Sequence, residues 1–306
     1  MSVPLLEVKN LNVSFSIGKD KLVAIRDLDL TIDRGDSVSF IGESGSGKSV
    51  IASAILASLE KNATVTGEVL FNGESIYDMT KSRLNEVRGK GICIISQNAS
   101  QSFDPIMRIG PQMEELMVKT GVPKERCKDL SIDMLAQCGF EDPEAILRTY
   151  PHRLSGGMAQ RVMIAMCVAT DPELLIADEP TKGLDGLSCK AVIELMTKLG
   201  SSRSLLMITH DLYMAKCCRR TAVLYGGIVV EDGPSATVIS DPHHPYTKAL
   251  KMSHPVNGMH PIPNGSERPP LVGCPFHNRC ALADDRCKCE IPPMEGKGHS
   301  MRCFHA

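Results

Sequence analysis

Apolar and polar positions alternate along residues 5–17 and 22–32: Leu6 and Val8, then Leu11, Val13 and Phe15, then Leu28, Leu30 and Ile32. A period of two lines one face of a pleated strand, so these stretches predict antiparallel strands joined by a turn at Gly18-Lys19-Asp20-Lys21. Residues 67–73 predict a hairpin strand that closes on Asn72-Gly73. Four further runs, 38–41, 92–95, 174–177 and 205–208, are apolar without alternation and predict short buried strands. A helix-compatible apolar run, 50–59, follows the first of them. Residues 104–150 are Met-rich and helical in pattern, with breaks at Pro105, Gly110-Pro111, Gly121, Pro123 and Pro143, and predict an inserted helical subdomain. Strands alternating with helices predict an α/β parallel sheet whose ligands sit beyond the carboxyl ends of its strands.

Composition narrows the class. At 306 residues, 42% hydrophobic and 23% charged, the chain can build an ordinary globular core in one large or two modest domains. A net charge of −2 offers no whole-chain attraction to nucleic acid or to an anionic membrane, and no nucleic-acid partner is expected. Met1-Ser2-Val3-Pro4-Leu5-Leu6-Glu7 does not read as a signal peptide, and no apolar run approaches the ~20 residues that span a bilayer. Of twelve cysteines, seven are scattered through the first 218 residues and read mostly as small buried hydrophobes. Five crowd into the last 33 residues, a cluster that reads as a metal site in a reducing compartment.

The chemistry is carried at strand ends. Gly42-Glu43-Ser44-Gly45-Ser46-Gly47-Lys48-Ser49 follows a strand and opens a helix, the context of a phosphate loop. Gly42, Gly45 and Gly47 let the backbone turn its N–H groups toward phosphate oxygens, with Ser44 among them. Lys48 can reach the β- and γ-phosphates, and the Ser49 hydroxyl can ligate Mg²⁺. Gln97 ends the second buried strand, where it can ligate Mg²⁺ or orient water, or stand as a solvated loop residue. Asp178 and Glu179 end the third, placed to hold Mg²⁺ and to polarise a water, or to form a solvated turn. His210 ends the fourth, able to meet a γ-phosphate or to serve structure. Ser155-Gly156-Gly157 before an apolar helix is a second potential anion cradle. Phe15 can stack on a purine or fill the core of its strand.

Together Leu154-Ser155-Gly156-Gly157-Met158-Ala159-Gln160-Arg161, the phosphate loop and Leu175-Ile176-Ala177-Asp178-Glu179-Pro180 resemble the signature set of ATP-binding cassette ATPases, over about residues 5–235. The resemblance implies a RecA-like P-loop NTPase core with an antiparallel β subdomain and a helical subdomain at about 98–160. It implies ATP and Mg²⁺ as ligands, held in a nucleotide-sandwich dimer. Ser155 and Gly157 would contact ATP bound to a second ATPase subunit, homologous or identical, and Asp185 would cross to that site. Gln97, Glu179 and His210 would be the Q-loop glutamine, the catalytic base and the switch histidine. Two departures from the pattern are visible, Lys182-Gly183 and Ala159, and neither removes a hydrolytic group.

The tail narrows the resemblance. His243-His244-Pro245-Tyr246-Thr247 and Gly273-Cys274-Pro275-Phe276-His277-Asn278-Arg279-Cys280 resemble the C-terminal extension of oligopeptide, dipeptide and nickel importer ATPases, here residues 236–306. That implies uptake of peptides, nickel or a metal chelate through two membrane permease subunits and an extracytoplasmic solute-binding protein, with this chain peripheral on the cytoplasmic face of the membrane. Proline-rich stretches at Pro261 and Pro263 and at Pro269-Pro270 lead into Cys274, Cys280, Cys287 and Cys303, with Cys289 as a spare. The segment has too little apolar content for its own core, so a metal staple is expected. Four thiolates suit Zn²⁺ or an iron–sulfur cluster, with His277, His299 and His305 nearby in sequence, and the spacing lacks the paired C-x₂-C of common zinc modules. In the resembling importers the motif is associated with a [4Fe–4S] cluster. A soluble cassette ATPase acting on ribosomes or nucleic acid is the alternative. It is disfavoured because the chain has one cassette and no long coiled-coil insertion.

Overall fold

The computed structural model describes residues 3–262 and 268–305. Met1, Ser2 and Pro263, which belong to the N-terminal and proline-rich stretches named above, lie outside the described residues. The chain forms two compact units. One runs to Tyr77 and resumes at Met207; the other spans Asp78–Leu206.

In the first unit the alternating stretches are the antiparallel strands Leu6–Ile17 and Asp20–Ile32. Ile17 pairs with Asp20, so the turn is shorter than expected and the second strand starts earlier. Strand Ala63–Phe71 pairs with the other edge of Leu6–Ile17 and closes on Asn72 and Gly73, both at positive φ (53° and 79°), as a tight hairpin requires. Ser37–Ile41, buried at every position, runs parallel to Arg220–Tyr225. That strand turns back into antiparallel Ile228–Pro234, whose edge takes the short strand Ser300–Met301.

The C-terminal extension does not stand apart from this unit. Cys274, Phe276 and Cys287 share one buried cluster with Ile41, Val223 and Tyr225, and with Tyr246 of the helix Pro245–Ser253. Burying an aromatic such as Phe276 contributes on the order of 2–3 kcal/mol. The extension therefore has apolar anchorage besides any metal, which corrects the expectation that a metal alone would staple it.

In the second unit Ile92–Ile95 pairs in parallel with Leu174–Asp178. The Met-rich stretch forms the helices Ile109–Lys119, Lys124–Gln137 and Pro143–Arg148; Gly121 and Pro123 separate the first two and Pro143 opens the third, whereas Gly110-Pro111, expected as a break, lies in the first turn of Ile109–Lys119, where a proline forfeits no intrahelical hydrogen bond. Asp142 caps the last of them, accepting from the Ala145 N–H with Pro143 in the first turn. Buried Ile109, Met113, Met117 and Leu135 face inward from these helices. Helix Gly156–Ala169 begins well before the apolar run at Val162, because Ser155 caps it. Helix Gly186–Ser202 follows.

Candidate active site

Strand Ser37–Ile41 delivers the phosphate loop to helix Lys48–Ile55. This helix is shorter than the apolar run that predicted it. A Cβ on Gly42 would lie 2.2 Å from the Leu224 carbonyl oxygen, so the loop can leave the strand only as glycine. Lys48 is 5% exposed, and its ammonium donates to the carbonyls of Gly42 (2.7 Å) and Glu43 (2.8 Å) and to Ser46 Oγ (3.3 Å). Ser44, Gly45 and Ser49 are exposed. An exposed turn of amides at a helix N-terminus, with a buried ammonium behind it, is suited to a polyphosphate. In the same unit Phe15 is only partly buried on its strand, which favours a surface contact over a core role. His210 is exposed just past Ser204–Thr209; beside it Asp211 caps the next turn, its N–H donating to Thr209 Oγ1 at 3.0 Å.

The second unit carries the remaining predicted positions. Asp178 is the last residue of its strand, and Glu179 follows at φ 47° and 8% exposed. A left-handed conformation costs a glutamate about 1–3 kcal/mol, and such strain gathers at functional carboxylates. Gln97 is exposed after Ile92–Ile95. The amide of buried Gln160 donates to the Ser96 carbonyl at 3.5 Å, tying the Gly156–Ala169 helix to the segment that carries Gln97. Ser155 Oγ accepts from the Met158 N–H at 3.2 Å. A Cβ on Gly157 would fall 2.1 Å from Ser188 Oγ. That hydroxyl donates to Asp185 (2.7 Å), whose carboxylate also accepts from the N–H groups of Leu187 and Ser188. The hydrogen bond from the Ser188 hydroxyl leads in holding the Asp185 carboxyl below the usual range. The missing side chain at Gly157 thus lets two predicted positions, otherwise distant in sequence, share one contact.

Back in the first unit, Cys274, Cys280, Cys287 and Cys303 line one small cavity beside Phe276 and His305. All four are free thiols, and exposed Cys289 is not part of the lining. Burial, reinforced by the neighbouring thiols, pushes Cys274 up to about 11; burial raises Cys280 and Cys287 as well. Thiols gathered this way resist becoming anions unless a cation joins them, so the donor set fits a metal group. One Zn²⁺ with Zn–S bonds of about 2.3 Å would draw four sulfurs to roughly 4 Å from one another. Among the described residues the one group of three or more such donors within 4.8 Å is Asp284, Cys287 and His305, so the four thiols are not collapsed onto a single ion. His305 Nε2 lies 3.5 Å from Cys287 Sγ. His277 Nδ1 lies 2.8 Å from the Cys274 carbonyl. His299 is placed otherwise than expected: it meets Glu231 at 2.7 Å and stacks on His243. Sequence reasoning passed over Glu231. It is fully buried and accepts the backbone N–H groups of His243 (2.7 Å) and His244 (3.1 Å), and nothing local distinguishes it from the adjacent Asp232 of the same strand.

The family described as ABC transporter matches residues 25–182, and that described as oligopeptide/dipeptide transporter, C-terminal region, matches residues 230–287. The chain is 36% identical over 313 residues to the oligopeptide transport ATP-binding protein OppD of Salmonella typhimurium, covering 98% of this chain and 93% of that protein. It is 35% identical over 317 residues to the oligopeptide transport ATP-binding protein AppD of Bacillus subtilis, covering 98% and 96%. Its fold matches the dimeric post-hydrolysis structure of the ATP-binding cassette MJ0796, bound to ADP and Pi, with a TM-score of 0.67 and 26% identity, over 75% of this chain and 98% of that one. The phosphate loop, the mixed α/β cassette and the His-Pro-Tyr extension thus meet in one chain, which belongs to the ABC transporter family as an ATP-hydrolysing, ATP-binding subunit of its oligopeptide/dipeptide branch.

Proposed function

We propose that this chain drives import of peptides, as one of two ATP-binding subunits acting on two membrane permease subunits supplied by an extracytoplasmic solute-binding protein. Support comes from relatives named for oligopeptide transport that match nearly the whole chain; neither relative described above is named for nickel. Among the described residues no helix is long and apolar enough to cross a membrane, consistent with a peripheral place on its cytoplasmic face.

In this reading Lys48 and the loop amides hold the β- and γ-phosphates while Phe15 stacks on the purine. Ser49, Gln97 and Asp178 hold Mg²⁺, Glu179 polarises the attacking water and His210 meets the γ-phosphate. Ser155 and Gly157 reach ATP on the second subunit, and Asp185 crosses with them. ATP closes the pair and hydrolysis reopens it, so the working material is the differential stability of two states. Residues 98–112 carry that motion to the permeases. In support, the Gln112 amide holds Asp104 and Met107 and leaves Ile106 85% exposed between them. The cysteine pocket would hold a [4Fe–4S] cluster through Cys274, Cys280, Cys287 and Cys303, with Zn²⁺ as the alternative. Bound, the group would supply a rigid thiolate cross-link with a structural or regulatory role.

The observation that carries the import reading is the union of cassette and peptide-type extension in one full-length match. Mild-detergent co-purification of the tagged chain from native membranes tests it. Two polytopic membrane proteins, an ATP-binding partner and a peptide-loaded binding protein are expected. Recovery with ribosomes or DNA alone would overturn it.

A further inference from the structure

The phosphate loop is gripped from outside its own motif. Glu43, an unspecified position of G-x-x-x-x-G-K-S, meets Arg279 as a two-pronged pair, Nη1 to Oε2 at 2.9 Å and Nη2 to Oε1 at 3.0 Å. The Arg279 side chain is 6% exposed, donates also to the Tyr225 hydroxyl at 3.0 Å and lies over the Tyr225 and Phe276 rings. The Glu43 N–H donates to the hydroxyl of fully buried Tyr246 at 2.8 Å. The Glu43 carbonyl receives the Lys48 ammonium at 2.8 Å. Carboxylate, amide and carbonyl of one loop residue are therefore all engaged, two of the three by the C-terminal extension.

Two physical consequences follow for ATP. A planar guanidinium fork fixes a carboxylate in direction as well as distance, so the loop's shoulder is held where Lys48 and the following amides start. Glu43 is also an anion in a loop that must accept a polyanion, and Arg279 offsets its charge in a partly desolvated place. We propose that Arg279 and Tyr246 are positioning residues for ATP, acting through Glu43 to set the phosphate loop and to screen its one carboxylate. The proposal rests on the ATP reading of the loop and is independent of what the cysteine pocket holds, although Arg279 directly precedes Cys280 of that pocket.

The test is equilibrium titration of the full chain with N-methylanthraniloyl-ATP and Mg²⁺, with circular dichroism confirming the fold. Arg279→Gln is expected to weaken binding about tenfold, the scale of one charged hydrogen-bonded pair, and Tyr246→Phe about threefold. Adding Glu43→Gln to Arg279→Gln is expected to recover most of the loss, because the unscreened carboxylate is gone. A merely structural role for Arg279 gives no such rescue. In the assembled transporter KM for ATP should rise with kcat nearly unchanged. Should Arg279→Gln fail to fold, Arg279→Lys keeps the charge without the fork and is expected to bind with intermediate affinity. Wild-type affinity in the folded Arg279 and Tyr246 variants, or a double variant no better than Arg279→Gln, would overturn the proposal. Loss of binding by Lys48→Ala with no effect from Arg279 variants would leave the ATP site standing and remove the clamp alone.

Discussion

Glu179 holds a buried carboxylate on a left-handed backbone at the end of a parallel strand, a conformation the chain sustains against its intrinsic preference. In the proposed function this carboxylate is the group that polarises the attacking water. Glu179→Gln keeps the shape and removes the proposed base. ATP turnover is expected to fall by about 100-fold or more, with ATP retained in a closed dimer. Undiminished turnover in a γ-phosphate release assay would take Glu179 out of that role. At this scale sequence reading places contiguous residues on their elements, residues 42–49 between a strand and a helix and Asp178-Glu179 at a strand end. It has no access to Glu43 and Arg279, which are 236 positions apart and meet only once strand and extension share a core. Phe15 shows the same limit: alternation placed it on a strand, and only the fold shows that it stays partly exposed.

The helix Pro245–Ser253 illustrates how an element of the extension is fixed. His244 caps it, its Nδ1 accepting the Tyr246 N–H at 3.1 Å, and Pro245 fills the first turn. Glu231 holds the preceding backbone from below. Burial holds His244 down to about 4 from its ordinary 6.5. Below pH 6.5 the unfolded chain takes up a proton that the folded chain refuses until about pH 4. The neutral cap's contribution is thus complete above pH 6.5 and is lost as pH falls from there toward 4, on the order of 3 kcal/mol in all. His244→Asn retains a capping acceptor and removes the titration. In denaturant unfolding the wild-type advantage over this variant should be constant above pH 7 and shrink below 6.5. Parallel stability curves down to pH 4 would count against the buried neutral histidine. The His-Pro-Tyr pattern was legible as a family mark. That its histidine is a buried cap and its tyrosine a phosphate-loop ligand was not, because both facts depend on what packs around the helix.

For the whole molecule the open quantity is what the four thiols hold. Anoxically purified chain is expected to contain about four iron and four acid-labile sulfide per chain, with both lowered by Cys280→Ser. One zinc per chain without sulfide would replace the cluster reading. Because Cys274, Phe276 and Cys287 share one buried cluster with Ile41, Val223 and Tyr225, removal of any metal should leave the extension attached. Thermal unfolding should then show no separate early transition for it.

Sequence alone determined the phosphate loop, the strand-end acids, the signature segment before its helix, the alternating and buried strands, and the Met-rich helical stretch. Each is written in neighbouring residues, and periodicity or local turn chemistry suffices to read it. The tertiary structure decided which distant groups touch. It set the Arg279 fork on Glu43, the Ser188 hydroxyl in the space left by Gly157, the withdrawal of His299 from the cysteines to Glu231, and the extension's share in the core. These depend on burial and on distances of a few ångströms between segments far apart in the chain. Such distances are settled by how whole elements pack, and no local pattern of residue types encodes them.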